Sequence, residues 1–167
     1  MNRDGAAAKT ARLSVMLVLA LIMSYVENAV GFNVGVPGVK IGFANVVVLF
    51  ALYRFGVPCA FGVNICRILL SALLFGNVFS LMYSLAGGLL SFALMVGVKR
   101  TGWFGITGVS VIGAVCHNIA QLCAAAMVMG SGYVFSYAPV LIIAGTVFGA
   151  VTGAVCHILV KKIPEKF

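Results

Sequence analysis

Residues 138–160 read APVLIIAGTVFGAVTGAVCHILV, an apolar run without a single Asp, Glu, Lys or Arg. About 20 such residues cross the hydrocarbon core of a bilayer as an α-helix. The rest of the 167-residue chain has the same character, with 63% apolar residues, 8% charged residues and a mean hydropathy of +1.18. Because soluble domains carry about 25% charged residues, this composition excludes a soluble globular protein and indicates an integral membrane protein.

Five further apolar runs precede this one, separated by turn signals such as Gly76-Asn77 and Gly130-Ser131-Gly132. The predicted helices cover residues 11–26, 41–55, 58–75, 78–98, 105–129 and 138–160. We therefore predict an all-α six-transmembrane-helix bundle that forms a single domain over residues 1–167. A five-span alternative would lose the shortest run and place the two basic termini on opposite faces, so we disfavour it.

The basic residues predict the orientation of the bundle. Nine of the 11 lie on one predicted side: Arg3, Lys9, Arg12, Arg54, Lys99, Arg100, Lys161, Lys162 and Lys166. The positive-inside rule then predicts both termini inside, with the protein in the cytoplasmic (inner) membrane. A net charge of +8 would suggest nucleic acid in a soluble protein, but here it matches attraction to anionic lipid. We expect membrane lipid, and no nucleic acid, as a partner.

The sequence also excludes several kinds of chemistry. Only Asp4, Glu27 and Glu165 are acidic, which leaves no acidic pair to hold the Mg²⁺ of a diphosphate substrate. No GxxxxGK[ST] phosphate loop is present, and the five cysteines lack the spacing of a zinc site. We expect no enzymatic activity in this chain, no catalytic residues, and no metal or other cofactor.

Small residues recur at a spacing that lets membrane helices approach closely. Gly145, Gly149 and Gly153 repeat every fourth residue, and Ala20 and Ser24 have the same spacing. For the glycines we expect helix packing within the chain. Docking to another membrane subunit is the alternative.

Polar side chains inside apolar runs are expensive in hydrocarbon and usually face a cavity or one another. Asn64, Arg67 and Ser71 share one helical face. The candidate substrate-binding residues are Glu27, Lys40, Asn45, Arg67, Asn77, His117, Asn118 and Gln121. Two buried cations, Lys40 and Arg67, against the carboxylate of Glu27 favour an anionic ligand group.

Structural explanations for the same residues stay open. Glu27 and Arg67 would also suit a buried ion pair that joins two helices. Lys40 would also suit an interfacial residue that reaches water. The polar face of His117, Asn118 and Gln121 would also suit a hydrogen-bond network between helices.

Several motifs resemble the Gx transporter family, also known as heptaprenyl diphosphate synthase component I. They are Tyr25-Val26-Glu27, the stretch VPGVKIGFAN at 36–45, RILLS at 67–71, LFGN at 74–77, SLAGGLLS at 84–91, GVSVIGA at 108–114 and HNIAQ at 117–121. These matches cover nearly the whole chain. That family is similar to the substrate-binding S components of energy-coupling-factor transporters, which are six-helix bundles.

The resemblance implies a transport protein that captures a small polar or anionic solute at its outer face. It also implies a transmembrane coupling subunit and two cytoplasmic ATPases as partners, with Ala20 and Ser24 in the docking stripe. The alternative is a non-catalytic membrane subunit of polyprenyl or quinone metabolism, or of a redox assembly. A third possibility is a proton-linked carrier that uses Glu27 or His117.

Overall fold

The computed structural model describes residues 3–30, 43–75 and 78–163, and no strand occurs among them. The helices are α1 (Arg3–Val30), α2 (Phe43–Arg54), α3 (Val57–Phe75), α4 (Val78–Thr101), α5 (Ile106–Met129) and α6 (Ala138–Lys162), with a short 3-10 helix at Gly132–Tyr137 before α6. Every predicted helix is present. α1 is longer than predicted at both ends, so Glu27 lies inside the helix and not at its end.

Five helical segments are long and apolar enough to cross a membrane, by length and composition. They are Thr10–Glu27, Val57–Phe75, Val78–Thr101, Ile106–Met129 and Gly132–Lys162. The exception is α2, whose 12 residues rise only about 18 Å, less than the hydrocarbon thickness of about 30 Å. Half of its residues are buried, so α2 lies within the bundle. The chain is thus a helical membrane protein of several spans.

Basic side chains bring three helix ends together. The Arg54 guanidinium donates to the carbonyls of Val160 and Ile163, which joins the end of α2 to the end of α6. Lys99 Nζ, at the end of α4, donates to the Leu52 carbonyl at 2.7 Å. The last carbonyls of a helix have no partner within the helix, and cationic side chains satisfy them well. We call the region where the ends of α2, α4 and α6 meet the basic end of the bundle.

α5 and α6 are held together by close backbone contact. A Cβ atom at Gly149 would lie 2.8 Å from Val111 Cα, and one at Gly153 would lie 2.7 Å from Thr107 Cα. At Gly145 the corresponding distance, to Val115 Cα, is 3.1 Å. Three glycines on α6 thus meet three positions on α5, each pair one helical turn from the next. This stripe faces the interior of the chain.

The small residues of α1 are also turned inward. Ala20 is fully buried and Ser24 is 5% exposed, whereas Val15, Val18 and Ile22 on the same helix are about half exposed. Both side chains therefore pack within the chain in this structure, and their role as a partner-docking stripe stays a prediction.

Candidate functional site

Two small cavities with polar side chains in their walls lie inside the bundle. The first, which we call the serine cavity, has a volume of about 50 Å³, room for a few water molecules. Its walls come from α1, α3, α4 and α5, and it extends toward the end of α3 and the start of α4. The lining residues are Ser24, Glu27, Arg67, Ile68, Ser71, Ala72, Phe75, Ser80, Ser84 and His117.

The second, which we call the central cavity, has a volume of about 40 Å³. All six α-helices contribute to its walls. The lining residues are Glu27, Asn45, Leu49, Arg67, Met95, Ser110, Ala114, His117, Asn118, Gly145, Phe148 and Thr152. Glu27, Arg67 and His117 therefore line both cavities.

Two asparagines hold the Arg67 guanidinium in place. Its Nη2 donates to Asn64 Oδ1 at 3.0 Å and to Asn45 Oδ1 at 3.3 Å. Asn64, which is 2% exposed, donates in turn from Nδ2 to the Gly88 carbonyl at 3.0 Å. The i, i+3 spacing of Asn64 and Arg67 makes the first contact possible within α3. α2, α3 and α4 thus position this cation together.

The charges around Arg67 are balanced among the described residues. The Glu27 carboxylate attracts the guanidinium electrostatically, and these are the two charged residues that line the cavities. The surplus positive charge predicted from the sequence depends on Lys40, which lies outside the described residues, as does Asn77. Arg67 Nε is buried and has no hydrogen-bond acceptor within the described ranges. A buried donor left without an acceptor costs about 1–3 kcal/mol, so Arg67 suits a ligand oxygen or a water.

Gly87 on α4 forms the surface against which two polar side chains of α5 rest. A Cβ atom there would lie 2.9 Å from His117 Cε1 and 2.8 Å from Gln121 Cγ. The predicted proximity of His117 and Gln121 is therefore present in the structure. Gln121 is not among the residues that line either cavity, and its buried Oε1 has no hydrogen-bond partner in the part of the chain described.

Asn118 has a structural contact as well as a place in the central cavity. Its Nδ2 donates to the Leu141 carbonyl at 2.9 Å, which ties α5 to α6. A second tie between these helices joins Ser110 Oγ and Thr152 Oγ1 at 3.0 Å. The interhelical role considered for the polar face of α5 is therefore present at Asn118, alongside a cavity-lining position.

The structure brings five of the predicted site residues to the cavities: Glu27, Asn45, Arg67, His117 and Asn118. Sequence reasoning missed the hydroxyls, above all Ser80 and Ser84. Their i, i+4 spacing just before the Gly87-Gly88 pair is the signal that would have found them. Among the residues described, no three His, Cys, Asp or Glu side chains are grouped as metal ligands. The arrangement is suited to binding a small molecule through hydrogen bonds and one cation.

We expect Gly87→Ala to displace His117 and Gln121. Both are side chains that can move, so the free energy of unfolding should fall by only about 1 kcal/mol. The displaced imidazole should react faster with diethyl pyrocarbonate, measured by mass spectrometry with His157, the only other histidine, as internal reference. Gly97→Ala on the same helix is the matched control, because a Cβ there meets nothing within 4 Å. Equal His117 reactivity in the two variants would contradict the packing described.

An all-helical bundle with several spans long enough to cross a membrane, and with two cavities beside one buried arginine, defines the class of the protein as a helical membrane protein. The chain belongs to the family described as heptaprenyl diphosphate synthase component I, which matches residues 16–159. The resemblance to this family is thereby confirmed, whereas the likeness to S components stays a prediction. No curated protein and no solved structure is significantly similar to the chain.

Proposed function

We propose that this protein is a membrane transport protein that captures a small polar or anionic solute for uptake. The observation that carries the proposal is the position of Arg67 in the shared wall of two polar cavities, with a buried Nε that lacks an acceptor among the described residues. A cation within a membrane helix is costly and usually marks a pathway or a ligand site. If Arg67 served only to pack helices together, two cavities beside its side chain would not be needed.

The cavities indicate what kind of solute fits. Each has room for only a few water-sized groups, so the solute, or the part of it held there, is small. An oxygen of a carboxylate, phosphate or hydroxyl group would accept from the Arg67 guanidinium. The hydroxyls of Ser71 and Ser84 and the carboxylate of Glu27 offer further hydrogen bonds in the serine cavity.

The proposed topology has six crossings of the cytoplasmic membrane, the second made by the short α2 within the bundle, and both termini lie on the cytoplasmic side. The joined ends of α2, α4 and α6 at the basic end support it, because alternating crossings bring every second helix end to one side. The basic residues there support a cytoplasmic position for that end, by the positive-inside rule. The serine cavity, near the opposite ends of α3 and α4, then opens toward the outside, where a solute would enter.

If the protein works as the S component of an energy-coupling-factor transporter, partner chains would supply the energy for uptake. The sequence has no phosphate-binding loop, so ATP hydrolysis would take place on two cytoplasmic ATPases joined to a coupling subunit. Because Ala20 and Ser24 are buried, that subunit would contact the exposed face of α1, which carries Val15, Val18 and Ile22.

The family description favours a second candidate, a non-catalytic membrane subunit associated with polyprenyl or quinone metabolism, or with a redox assembly. Prenyl transfer itself needs Mg²⁺-binding carboxylates, and Asp4 is the only aspartate in the chain. The role would therefore be to hold a partner enzyme or a lipid substrate at the membrane.

Native mass spectrometry of the gently extracted protein separates the two candidates. The transport proposal predicts a bound water-soluble small molecule that is lost from Arg67→Ala and retained by Arg100→Ala, a change at an exposed residue. A bound prenyl or quinone lipid would support the second candidate instead. A protein that carries neither, in the presence of cell extract, would count against both.

A further inference from the structure

We propose that the central cavity is a second station for the solute, and that Glu27, Arg67 and His117 form the gate between it and the serine cavity. This inference rests on the proposed transport function and extends it. A protein that only captures a solute at its outer face needs one cavity. A second cavity that meets the first at these three side chains points to onward movement through this chain.

The lining of the cavities identifies the gate. The two share only Glu27, Arg67 and His117. Ser84 belongs to the serine cavity alone and Ser110 to the central cavity alone. A solute that passes from one to the other must therefore move between the three shared side chains.

The central cavity continues from the gate toward the basic end. Along α5 it reaches from Asn118 to Ser110, eight residues or about 12 Å of helix. Ser110 lies near the start of α5 at Ile106, which follows the α4 end that Lys99 ties to the basic end. The central cavity thus extends along a part of the bundle, toward the basic end, that the serine cavity does not reach.

The hydrogen bonds of Arg67 would allow the gate to open. The hydrogen bond from Nη2 to Asn64 lies within α3, so it can persist when helices move. The bond to Asn45 on α2 is longer, at 3.3 Å, and crosses between helices. A hydrogen bond from a charged group contributes about 1.5–3 kcal/mol. Breaking the bond to Asn45 therefore costs no more than this, and Arg67 keeps its contacts with Asn64 and with the charge of Glu27 on α1.

The chemistry of the central cavity differs from that of the serine cavity. Near the gate it presents Asn45 and Asn118, whereas Leu49, Met95 and Phe148 make up an apolar part of the wall. The Ser110 and Thr152 hydroxyls already bond to each other. A solute with a compact polar end and a short apolar body matches this lining, with its polar end held at Arg67.

Thiol accessibility tests the gate without any solute. In full-length protein with its five native cysteines changed to alanine, Ser84→Cys and Ser110→Cys would be compared in right-side-out membrane vesicles. The probe is Ag⁺ added outside, and the remaining thiols are counted after denaturation. We expect Ser84→Cys to react promptly and Ser110→Cys to react about tenfold more slowly, as a barrier between the cavities requires.

Opening the gate should remove that difference. His117→Ala, added to Ser110→Cys, should raise the Ag⁺ reaction rate about tenfold without changing the charge of Arg67 or Glu27. Asn45→Ala, which removes the interhelical bond, is a second gate variant in case the first does not fold. Ile119→Ala is the matched control, because this neighbour of His117 lines neither cavity and is exposed.

Two results would overturn the inference. One is a Ser110→Cys rate equal to that of Ser84→Cys while the gate residues are intact. The other is a Ser110→Cys rate that stays slow in both gate variants. Because the measurement uses no solute, it is independent of the mass-spectrometric test of solute capture, and failure of one is distinguishable from failure of the other.

Discussion

Arg67→Ala is expected to abolish solute uptake while the protein stays inserted in the membrane. The guanidinium is the only cation among the described residues that line the cavities. A hydrogen bond from a charged group contributes about 1.5–3 kcal/mol, so its loss should weaken binding roughly 10-fold to 150-fold. The measurement is uptake of the co-purified solute into proteoliposomes, with insertion checked by extraction and protease protection.

A pair of substitutions separates binding by Arg67 from a structural ion pair. Arg67→Met keeps the volume of the side chain but leaves the Glu27 carboxylate uncompensated, so stability should fall. Adding Glu27→Gln removes the remaining charge and should recover much of that stability, since a buried pair is often replaceable by neutral groups. If Arg67 binds solute, the double variant remains inactive. Uptake restored in the double variant would show that the ion pair was the only role of Arg67.

The bounds of a helix were predictable from the sequence where an apolar run of membrane-spanning length sets them. α3, α4 and α5 begin and end within three residues of their predicted bounds, because Pro58, the Gly76-Asn77 turn and Gly130 interrupt apolar runs. α1 extends to Arg3 because the alanine run Ala6-Ala7-Ala8 favours helix even beside charged residues, outside the long apolar run. Hydropathy carries no signal for that extension.

The site was predictable where a side chain is costly in hydrocarbon. Arg67, Glu27 and His117 are conspicuous in apolar runs, and all three line both cavities. Serines cost little in a membrane helix, so Ser80 and Ser84 gave no comparable signal. For Ala20 and Ser24 the spacing identifies a small-residue face without saying which neighbour it meets. Both side chains are buried within the chain, and docking of a partner through them stays a prediction.

Gly149→Ala is expected to separate α5 from α6 and to lower the stability of the protein markedly. Its Cβ would lie 2.8 Å from Val111 Cα, 3.0 Å from Ala114 Cβ and 3.2 Å from the Ser110 carbonyl oxygen. Since backbone atoms cannot move aside as a side-chain tip can, the helices themselves must shift. Overpacking of this kind costs about 1–3 kcal/mol.

Gly97→Ala is the matched control for this prediction, because the same substitution in α4 meets open space and gains about 1 kcal/mol of helix propensity. Thermal unfolding in detergent, followed by circular dichroism, should give a lower midpoint for Gly149→Ala and an unchanged or higher one for Gly97→Ala. Ser110–Thr152 and Asn118–Leu141 bridge the same interface, and three of these four residues, Ser110, Asn118 and Thr152, line the central cavity. A wider α5–α6 contact should therefore also enlarge that cavity, so Ser110→Cys should react faster with Ag⁺ in the Gly149→Ala background. An unfolding midpoint as high as that of Gly97→Ala would mean that α5 and α6 are not packed backbone to backbone.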